Sequence, residues 1–419
     1  MTPADRIHAR GRFSGKPGLH RIRALCNALD NPQKKLKFIH IAGTNGKGST
    51  AAMLAAIFQE AGYRTGLFTS PFLVTFHERI RVNGARIDDA ALTRLTDQVE
   101  AAERTLTLPE GEHIGEFEFV TALGFLYFLE QDCDIVILET GLGGSFDASN
   151  VIDPPEAAVI TSISLDHTAV LGHTTGEIAR AKAGILKPGS AAICAAGQPE
   201  DALAVIREAC PTVQIPAPAS KIACDFSGVS FHWKGERWHS PMIGIHQVQN
   251  ACVALQTIHA VRQRGWKLPE GAVQQGLAKA VMPGRMEILR EKPRILVDGG
   301  HNEDGVKAIA RTIEELHPEG KLHLVLGMVT DKNVNACAFT LRKLSDSIYV
   351  TQPENERAMQ ADALARAMDK PEAICGVFPH AADAFRAALQ HATKTDTILI
   401  CGSLYLVGEA EKFFKPDRI

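Results

Sequence analysis

Short apolar segments alternate with segments of helical periodicity along almost the whole chain. The apolar segments are rich in β-branched residues and predict strands at residues 38–42, 65–69, 135–138 and 158–161. The helical patterns that accompany them cover residues 49–61, 88–104 and 119–130. A strand, a helix and a second strand in this order form a parallel pair, with the crossover helix packed on one face of the sheet. The alternation therefore predicts an α/β fold with a mostly parallel sheet and helices on both faces.

The alternation is interrupted once and then resumes. Residues 226–239 predict a β-hairpin with its turn at Lys234 and Gly235, and helical patterns follow at residues 247–263 and 269–280. A second α/β series has predicted strands at residues 294–297, 322–326, 347–350 and 397–401. A chain of 419 residues is longer than one hydrophobic core usually holds. We therefore predict two domains, residues 1–288 and 289–419, with the junction close after the segment 283–285.

The composition is that of an ordinary globular protein and excludes several classes of function. The formal net charge is −3, so no overall field draws the chain to nucleic acid or to an anionic membrane. No run approaches about 18 apolar residues, and the polar N-terminus lacks the apolar segment of a secretory signal. The nine cysteines contain no C-x-x-C pair, which argues against a disulfide framework or a zinc ribbon. We expect a cytoplasmic protein whose partners are small molecules.

A glycine-rich segment lies between the first predicted strand and the first predicted helix, which is the context of a phosphate-binding loop. Its residues are Gly43, Thr44, Asn45, Gly46, Lys47, Gly48 and Ser49. Glycines let the backbone direct N–H groups at phosphate oxygens, and the helix N-terminus and Lys47 supply positive charge. The spacing differs from the standard G-x-x-x-x-G-K-[ST] loop. The segment predicts ATP or a related nucleotide and leaves a plain ATPase or a small-molecule kinase open. The alternative is a glycine-rich turn with a solvated lysine.

Three polar residues follow predicted strands, near the edge where a parallel sheet binds ligands. Glu139 ends the strand at 135–138, and a carboxylate there can hold Mg²⁺, which prefers oxygen ligands. His167 follows the next strand, and Lys182 lies on the helix after it. Each has an ordinary alternative. Glu139 could be a capping or surface carboxylate, His167 a satisfied polar residue and Lys182 a solvated lysine.

A series of distinctive motifs occurs in order along the chain. They are IHIA (39–42) with the phosphate loop, TSPFL (69–73), ERI (78–80), FEF (117–119), ETGLGG (139–144), DASN (147–150), LDHT (165–168), KAGI (182–185), PGR (283–285) and DGGHN (298–302). Together they resemble the folylpolyglutamate synthases, a branch of the Mur ligase superfamily in which some bacterial members are also dihydrofolate synthases. The resemblance implies an ATP-binding P-loop ATPase-type domain at residues 1–288 and a smaller Rossmann-like glutamate-ligase domain at 289–419, with ATP held between them. Most members of the family are monomers.

The resemblance also implies roles for the matching residues. Ser70 and Glu139 match ligands of the Mg²⁺ that bridges the ATP phosphates, and His167 matches a ligand of a second Mg²⁺. Lys182 matches a lysine that many members carry as a carbamate, which would turn a cation into an oxygen ligand. The catalytic set would then be Lys47, Glu139, His167 and Lys182.

The remaining implied contacts concern the nucleotide and the acceptor. Besides the loop, nucleotide contacts are implied for Asn250, Arg285 and Asp298. The segments of the pterin and aminobenzoate site contain Phe72, Phe117, Glu118, Phe146, Asp147 and Ala148, and His301 and Asn302 fall near the glutamate and phosphate side. Alternatives remain, because Asp298 could end a strand in a turn, Arg285 could form a linker ion pair, and Asn250 could bond within its helix pair.

Three departures from the family pattern lie on the folate side. Ser145 stands where most relatives have arginine, and Phe72 replaces the commoner histidine or tyrosine. Gly115 and Glu116 stand where small polar or aromatic residues are usual.

The implied reaction is the ATP-dependent addition of L-glutamate to a folate or folylpolyglutamate through an acyl phosphate. Dihydropteroate stays open as a second acceptor. Three other readings also stay open: a ligase of the same fold that acts on another carboxylate such as a muramyl-peptide precursor, a paralogue that binds nucleotide without turnover, and a simple kinase.

Overall fold

The computed structural model describes residues 1–11, 15–330 and 333–416. Within these residues the chain forms two compact units, and neither is continuous in sequence. The first unit holds the described parts of Met1–Phe72, Phe76–Pro218 and Gln249–Ala280. The second holds Leu73–Thr75, Ala219–Val248 and the described part of Val281–Ile419.

A seven-stranded sheet is the centre of the first unit. Its strands are β1 (Phe38–Ala42), β2 (Thr65–Phe68), β3 (Ile80–Val82), β4 (Ala85–Arg86), β5 (Ile135–Glu139), β6 (Ala157–Ile160) and β7 (Ala191–Cys194). The spatial order is β4-β3-β2-β5-β1-β6-β7. The five strands from β2 to β7 in this order run parallel, and β3 and β4 add an antiparallel edge. Every residue of β1, β2, β5 and β6 is buried, as expected for a parallel sheet covered on both faces.

Helices cover this sheet and bring the site residues to its carboxyl edge. They are α1 (Pro3–His8), α2 (His20–Ala28), α3 (Lys47–Glu60), α4 (Asp89–Glu103), α5 (Glu116–Glu130), α6 (Thr168–Leu171), α7 (Thr175–Ala183) and α8 (Glu200–Ala209). Helix α5 has an almost continuous apolar sequence and is buried along most of its length, as expected for a helix that is hydrophobic all round.

The segment that interrupts the alternation forms an antiparallel sheet of three strands. These are β8 (Ser220–Asp225), β9 (Gly228–Trp233) and β10 (Glu236–Ser240), in the order β10-β9-β8. The predicted hairpin turn is confirmed, because Lys234 and Gly235 have φ angles of 49° and 86° and Trp233 pairs with Glu236. Two helices follow, α9 (His246–Arg262) and α10 (Glu270–Lys279).

A six-stranded sheet is the centre of the second unit. Its strands are β11 (Glu287–Glu291), β12 (Arg294–Asp298), β13 (Leu322–Leu326), β14 (Ser347–Thr351), β15 (Ile374–Phe378) and β16 (Thr397–Cys401), in the order β11-β12-β16-β13-β14-β15. All pairs are parallel except β11 with β12. The helices of this unit are α11 (Glu303–Leu316), α12 (Val334–Leu341), α13 (Ala361–Met368), α14 (Ala381–His391) and α15 (Leu404–Phe414).

The predicted α/β class is confirmed for both units, with a mostly parallel sheet in the first and a mixed sheet in the second. The domain ranges 1–288 and 289–419 stay a prediction. The two compact units differ from them, because residues 73–75, 219–248 and 281–288 belong to the second unit. No helix in the described part of the chain is long and apolar enough to cross a membrane. None of the nine cysteines forms a disulfide.

Candidate active site

The phosphate loop joins β1 to α3 within the first unit. It leaves β1 after Ala42, and α3 begins at Lys47 with Gly46 as its N-cap in a left-handed conformation (φ 86°). Among the described residues no side chain caps this helix N-terminus. Backbone N–H groups at a helix N-terminus together with a nearby lysine form an anion-binding site. The loop therefore has the geometry that a phosphate group requires.

The loop passes so close to its neighbours that two of its positions admit only glycine. A Cβ atom on Gly43 would lie 1.8 Å from Oγ1 of Thr161, at the end of β6. A Cβ atom on Gly46 would lie 2.3 Å from Oδ1 of Asn250, on α9. The hydroxyl of Thr161 donates to the carbonyl oxygen of Asn45 at 2.8 Å and so fixes the loop from one side. The contact with Gly46 places the predicted nucleotide residue Asn250 directly against the loop.

Two lysines point at the same carbonyl oxygen of this loop. Nζ of Lys182 donates to the carbonyl oxygen of Gly43 at 2.8 Å, and Nζ of Lys47 donates to it at 3.1 Å. Lys47 also donates to the carbonyl oxygen of Thr44 at 3.2 Å. The structure thus brings together two residues that are 135 positions apart in sequence, as their numbers 47 and 182 show. Both Nζ atoms therefore lie beside the loop, within 3.1 Å of the Gly43 carbonyl oxygen.

Lys182 is not a solvated surface lysine. It lies on α7 and only 4% of its surface is exposed. Burial, followed by the charge of Lys47, lowers the pKa of Lys182 to about 7. The neutral amine is therefore accessible near neutral pH, which is the form that can react with carbon dioxide to give a carbamate.

Glu139 is the last residue of β5, between β1 and β2, and 4% of its surface is exposed. Its Oε1 lies 4.0 Å from Nζ of Lys47, and its Oε2 accepts a hydrogen bond from the backbone N–H of Ser70 at 3.3 Å. The predicted metal ligands Ser70 and Glu139 are therefore neighbours. Of the two, Glu139 also lies beside Lys47.

His167 lies near Lys47 and Lys182 at the wall of a small recess. The recess is lined by Gly43, Thr44, Lys47, Thr140, Gly141, Leu142, Gly143, Asp166, His167, Leu171 and Lys182. His167 has a left-handed backbone conformation (φ 51°), and its backbone N–H donates to Oδ1 of Asp166 at 2.8 Å. Three of the four predicted catalytic residues therefore line one recess.

The other two predicted nucleotide residues belong to the second unit. Asp298 ends β12, and its carboxylate accepts from the backbone N–H groups of Met286 at 2.9 Å and Gly300 at 2.7 Å. The guanidinium of Arg285 lies 3.1 Å from the position that a Cβ atom on Gly299 would take. Asp298 thus supports the turn after β12, next to Arg285.

Glu118 on the predicted acceptor side is held by an ion pair. Its Oε1 accepts from Nε of Arg21 at 2.9 Å, and its Oε2 accepts from the N–H of Gly115 at 2.9 Å. Arg21 and Glu118 are 5% and 7% exposed. The ring of Phe117 lies against Gly141, where an added Cβ atom would be 2.6 Å from it. Glu118 fixes the start of α5, which positions Phe117 beside the segment that follows β5.

The segment of Asp147 shows both buried and exposed positions. Asp147 is buried and accepts from the backbone N–H groups of Leu142 at 2.7 Å and Ser149 at 3.0 Å. Burial raises the pKa of this carboxyl above its ordinary value. Ala148 is 5% exposed, whereas Phe146 is 66% exposed. Phe146 therefore presents a large apolar side chain to solvent beside a buried carboxylate.

The residues that depart from the family pattern have defined contacts. The hydroxyl of Ser145 donates to the carbonyl oxygen of Ala181 at 3.0 Å. The ring of Phe72 lies 5.5 Å from the guanidinium of Arg79, which also donates to Glu116 at 2.9 Å.

Two predicted residues for the glutamate side lie at the start of α11 in the second unit. Oδ1 of Asn302 accepts from the backbone N–H of Gly305 at 2.8 Å, which makes Asn302 the N-cap of α11. Nδ1 of His301 lies 2.8 Å from the carbonyl oxygen of Gly299.

Comparison with known proteins adds independent findings. Residues 41–258 match the Mur ligase middle domain, and residues 284–404 match the Mur ligase glutamate ligase domain. A dihydrofolate synthase/folylpolyglutamate synthase of Bacillus subtilis is 37% identical over 98% of this chain and 97% of its own length. A folylpolyglutamate synthase of Lacticaseibacillus casei is 34% identical to this chain, and the match covers 84% of this chain and 85% of that protein.

The chain belongs to the folylpolyglutamate synthase/dihydrofolate synthase family of Mur ligases.

Solved structures support the same family. The E. coli FolC in complex with DHPP and ADP superimposes with a TM-score of 0.87 and 29% identity, and the match covers 100% of this chain and 99% of that one. A bifunctional folylpolyglutamate synthase/dihydrofolate synthase with Mn, AMPPNP and L-glutamate bound has a TM-score of 0.84 and 29% identity, over 99% of this chain and 98% of that one. The chain is an ATP-dependent glutamate ligase that forms C–N bonds.

Several residues of the recess received no role from the sequence. Thr140, Gly141, Leu142 and Gly143 follow Glu139, and Asp166 precedes His167. They lie in motifs typical of the folylpolyglutamate synthases, and their position after strands β5 and β6 was the available signal. Leu171, which also lines the recess, lies in none of those motifs. The charge of Asp166 also acts on Lys182, whose pKa it raises against the larger effect of burial.

Proposed function

We propose that this chain catalyses the Mg-ATP-dependent ligation of L-glutamate to the carboxylate of a folate-type acceptor through an acyl phosphate. The observation that carries the proposal is the convergence of Lys47 and Lys182 on the Gly43 carbonyl oxygen, with the buried carboxylate of Glu139 beside Lys47. Positive charge at a phosphate loop and an acidic residue at the adjacent strand end are what phosphoryl transfer from ATP requires.

The chemistry proceeds in two steps because a carboxylate is a poor electrophile. An oxygen of the acceptor carboxylate attacks the γ-phosphorus, the bond to the bridging oxygen breaks, and ADP leaves. The amino group of glutamate then attacks the carbonyl carbon and loses a proton as the C–N bond forms. Inorganic phosphate leaves with the electron pair of the C–O bond. Most of the protein's contribution is positioning and neutralisation of charge.

Lys47 and the loop are proposed to hold the phosphates. When a nucleotide binds, the ammonium of Lys47 exchanges its contacts with the carbonyl oxygens of Gly43 and Thr44 for phosphate oxygens. The uncapped N-terminus of α3 offers backbone N–H groups to the same phosphates. Asn250, Arg285 and Asp298 are proposed as further nucleotide residues, with Asn250 against Gly46 and Asp298 as the support of the turn near Arg285.

Ser70, Glu139, His167 and Lys182 are proposed to hold Mg²⁺. Ser70 and Glu139 both carry oxygen atoms, which a hard cation such as Mg²⁺ prefers, and the two residues are in contact. Among the described residues no three His, Cys, Asp or Glu side chains form a metal cluster. A site here would therefore depend on the serine hydroxyl, the substrate phosphates and a carbamate on Lys182. Bound Mg²⁺ would neutralise charge on the transferred phosphoryl group.

The acceptor is proposed to contact Phe72, Phe117, Phe146, Asp147 and Ala148. The phenylalanine rings can pack against a flat pterin, and the Asp147 carboxylate can accept hydrogen bonds from the pterin N–H groups. Glu118, whose carboxylate is held by Arg21, is proposed to act by positioning Phe117. His301 and Asn302 are proposed to act on the glutamate side. We further propose a cytoplasmic monomer that acts on small molecules and not on nucleic acid.

Product analysis tests the proposal. Purified protein is incubated with ATP, Mg²⁺ and L-glutamate, together with either dihydropteroate or a tetrahydrofolate, and the products are identified by mass spectrometry. We expect a product extended by one or more glutamates, formed with equimolar ADP and phosphate for each amide. Release of ADP with a muramyl-peptide precursor and with neither pteridine acceptor would contradict the assignment. A stable phosphorylated product would indicate a kinase instead.

A further inference from the structure

Behind the proposed acceptor site, a chain of buried hydrogen bonds runs from strand β1 to Asp147. The imidazole of His40 on β1 is 0% exposed, and its Nε2 lies 2.8 Å from Oγ of Ser149. The hydroxyl of Ser149, also 0% exposed, donates to Oδ1 of Asp147 in a short hydrogen bond. Asp147 in turn accepts from the N–H of Leu142 through its Oδ2 at 2.7 Å.

The direction of this chain follows from the number of protons available. A serine hydroxyl has one proton, and here the carboxylate of Asp147 receives it. Oγ of Ser149 must therefore accept from His40, so that Nε2 carries the proton and Nδ1 carries a lone pair. Nδ1 is buried and has no hydrogen-bond partner among the residues that the structure describes. Burial, followed by the charge of Lys187, lowers the pKa of His40 to about 3, so the ring is neutral.

A role in packing alone does not account for histidine at this position. A buried nitrogen without a partner is unfavourable, and an apolar side chain of similar volume would avoid the cost. What His40 supplies, and an apolar residue would not, is the proton on Nε2. That proton fixes the Ser149 hydroxyl, which fixes one oxygen of Asp147 while Leu142 fixes the other.

We propose that His40 is a positioning residue that acts through Ser149 to orient Asp147 in the acceptor site. The proposal rests on the proposed function, because Asp147 is the carboxylate assigned there to the pterin. Asp147 also holds the N–H of Leu142, in the segment that lines the recess with Lys47 and Lys182. Loss of the His40 proton donor would release the Oδ1 side of Asp147, whereas the contact of Oδ2 with Leu142 does not depend on His40. Acceptor binding should therefore weaken first, and nucleotide binding should stay intact.

Two pairs of matched variants separate the donor from the packing volume. The amide nitrogen of glutamine can replace Nε2 of histidine, whereas that of asparagine lies near Nδ1. His40→Asn is expected to raise the KM for the acceptor about tenfold, as loss of an outer hydrogen-bond partner does in other sites, and His40→Gln by no more than about twofold. Ser149→Ala should resemble His40→Asn, and Ser149→Thr should resemble wild type, because it keeps the hydroxyl. In all four variants the KM for ATP should stay within about twofold of wild type.

A double variant tests whether the two residues act as one chain. Because Ser149→Ala already breaks the connection, adding His40→Asn should raise the acceptor KM little further. Multiplicative effects of the two changes would overturn the proposal. So would an equal rise in KM for His40→Gln and His40→Asn, which would assign the effect to packing, and so would an unchanged KM in all variants.

A spectroscopic measurement keeps the test independent of turnover. ¹⁵N NMR of the histidine-labelled whole protein is expected to show a neutral His40 with its proton on Nε2, and a changed Nε2 signal in Ser149→Ala. A proton on Nδ1 would overturn the proposal even in an active enzyme. If wild type forms no amide with either pteridine acceptor, the proposed function fails instead, and the positioning proposal fails with it as a statement about the acceptor.

Discussion

At the scale of single residues, the ammonium of Lys47 has the most direct role. In the described structure it contacts two carbonyl oxygens of its own loop and lies 4.0 Å from the Glu139 carboxylate. These contacts keep a positive charge in place before any phosphate arrives. Because the loop backbone holds the ammonium of Lys47, the glycines that shape the loop also determine the position of this charge.

Replacing Lys47 by alanine should remove most of the activity. Loss of one charge-stabilising contact in a transition state typically lowers kcat by about 10²–10³. The measurement is amide formation and ADP release with saturating ATP, glutamate and acceptor. The control is Lys35→Ala, since Lys35 is exposed and its ion pair is with the exposed Asp30. Amide formation by Lys47→Ala at the wild-type rate would refute the proposed site.

Lys182 gives a second prediction, because its ordinary protonated form offers no ligand to a cation. If it acts as a carbamate, Lys182→Ala should lose at least about tenfold in kcat and regain part of it when a short carboxylate is added. Lys47→Ala should show no such recovery, since a carboxylate cannot replace an ammonium. Unmodified Lys182 in the intact mass spectrum, combined with a harmless alanine substitution, would leave only a structural role.

His40 links its burial to the pH dependence of stability. Its pKa is lowered from 6.5 to about 3, mainly by burial. Between these values the unfolded chain binds a proton that the folded chain does not, so the free energy of unfolding rises with pH through this window. The slope from one group is at most about 1.4 kcal/mol per pH unit. Urea unfolding between about pH 4 and 7 should show a shallower dependence for His40→Gln than for wild type, and identical slopes would show that His40 does not titrate this way.

At the scale of secondary structure elements, the contact of α3 with α10 supports the phosphate loop. Gly276 on α10 lies so close to α3 that an added Cβ atom would be 2.4 Å from Cα of Ile57. Backbone atoms cannot yield as a flexible side chain can. Helix α3, which begins at Lys47, is therefore held at a distance that requires glycine on its neighbour.

Gly276→Ala should destabilise the protein by about 1–3 kcal/mol through this overpacking. Gly271→Ala, on the same helix, is the matched control, since a Cβ atom there meets nothing within 4 Å. The control should be neutral or stabilising by up to about 1 kcal/mol, because alanine favours helix. Denaturant unfolding of the two variants measures both. Equal free energies of unfolding for Gly276→Ala and Gly271→Ala would show that α3 and α10 can move apart without loss of stability.

Most elements were predictable because their periodicity is strong and local. The strand 322–326 was predicted with the observed bounds, and α4 within one residue at each end. Strand β8 was missed because its residues are mostly exposed and show no apolar alternation. Strand β15 was missed for a similar reason, since half-exposed residues and a glycine weaken its pattern.

The site was predictable only where its residues lie close together in sequence. The phosphate loop and the strand-end residue Glu139 followed from local pattern. The contact of Lys182 with Gly43, and the chain from His40 to Asp147, join segments separated by more than a hundred residues. Such contacts depend on the order of strands in the sheet, which the sequence pattern does not specify. The sequence also gave no sign that Glu118 would be held by Arg21.

At the scale of the whole molecule, nucleotide binding should appear as added stability. A ligand that binds only the folded state stabilises it by about 2.7 kcal/mol when present at a hundred times its Kd. The melting temperature of the full chain should therefore rise with the concentration of Mg-ATP. Lys47→Ala should need a higher concentration for the same rise, while Gly271→Ala should behave as wild type. A melting temperature that ignores Mg-ATP would contradict nucleotide binding.

The chain crosses from one compact unit to the other several times, at residues 72–76, 218–219, 248–249 and 280–281. No single cut in the gene can release either unit whole. A fragment that starts at residue 289 would lack β8–β10 and begin inside β11, which pairs with β12. Strand β12 would then present an open sheet edge, which favours aggregation. Truncation of this enzyme at the predicted boundary before residue 289 would therefore yield inclusion bodies, and dissection requires permuted or co-expressed pieces.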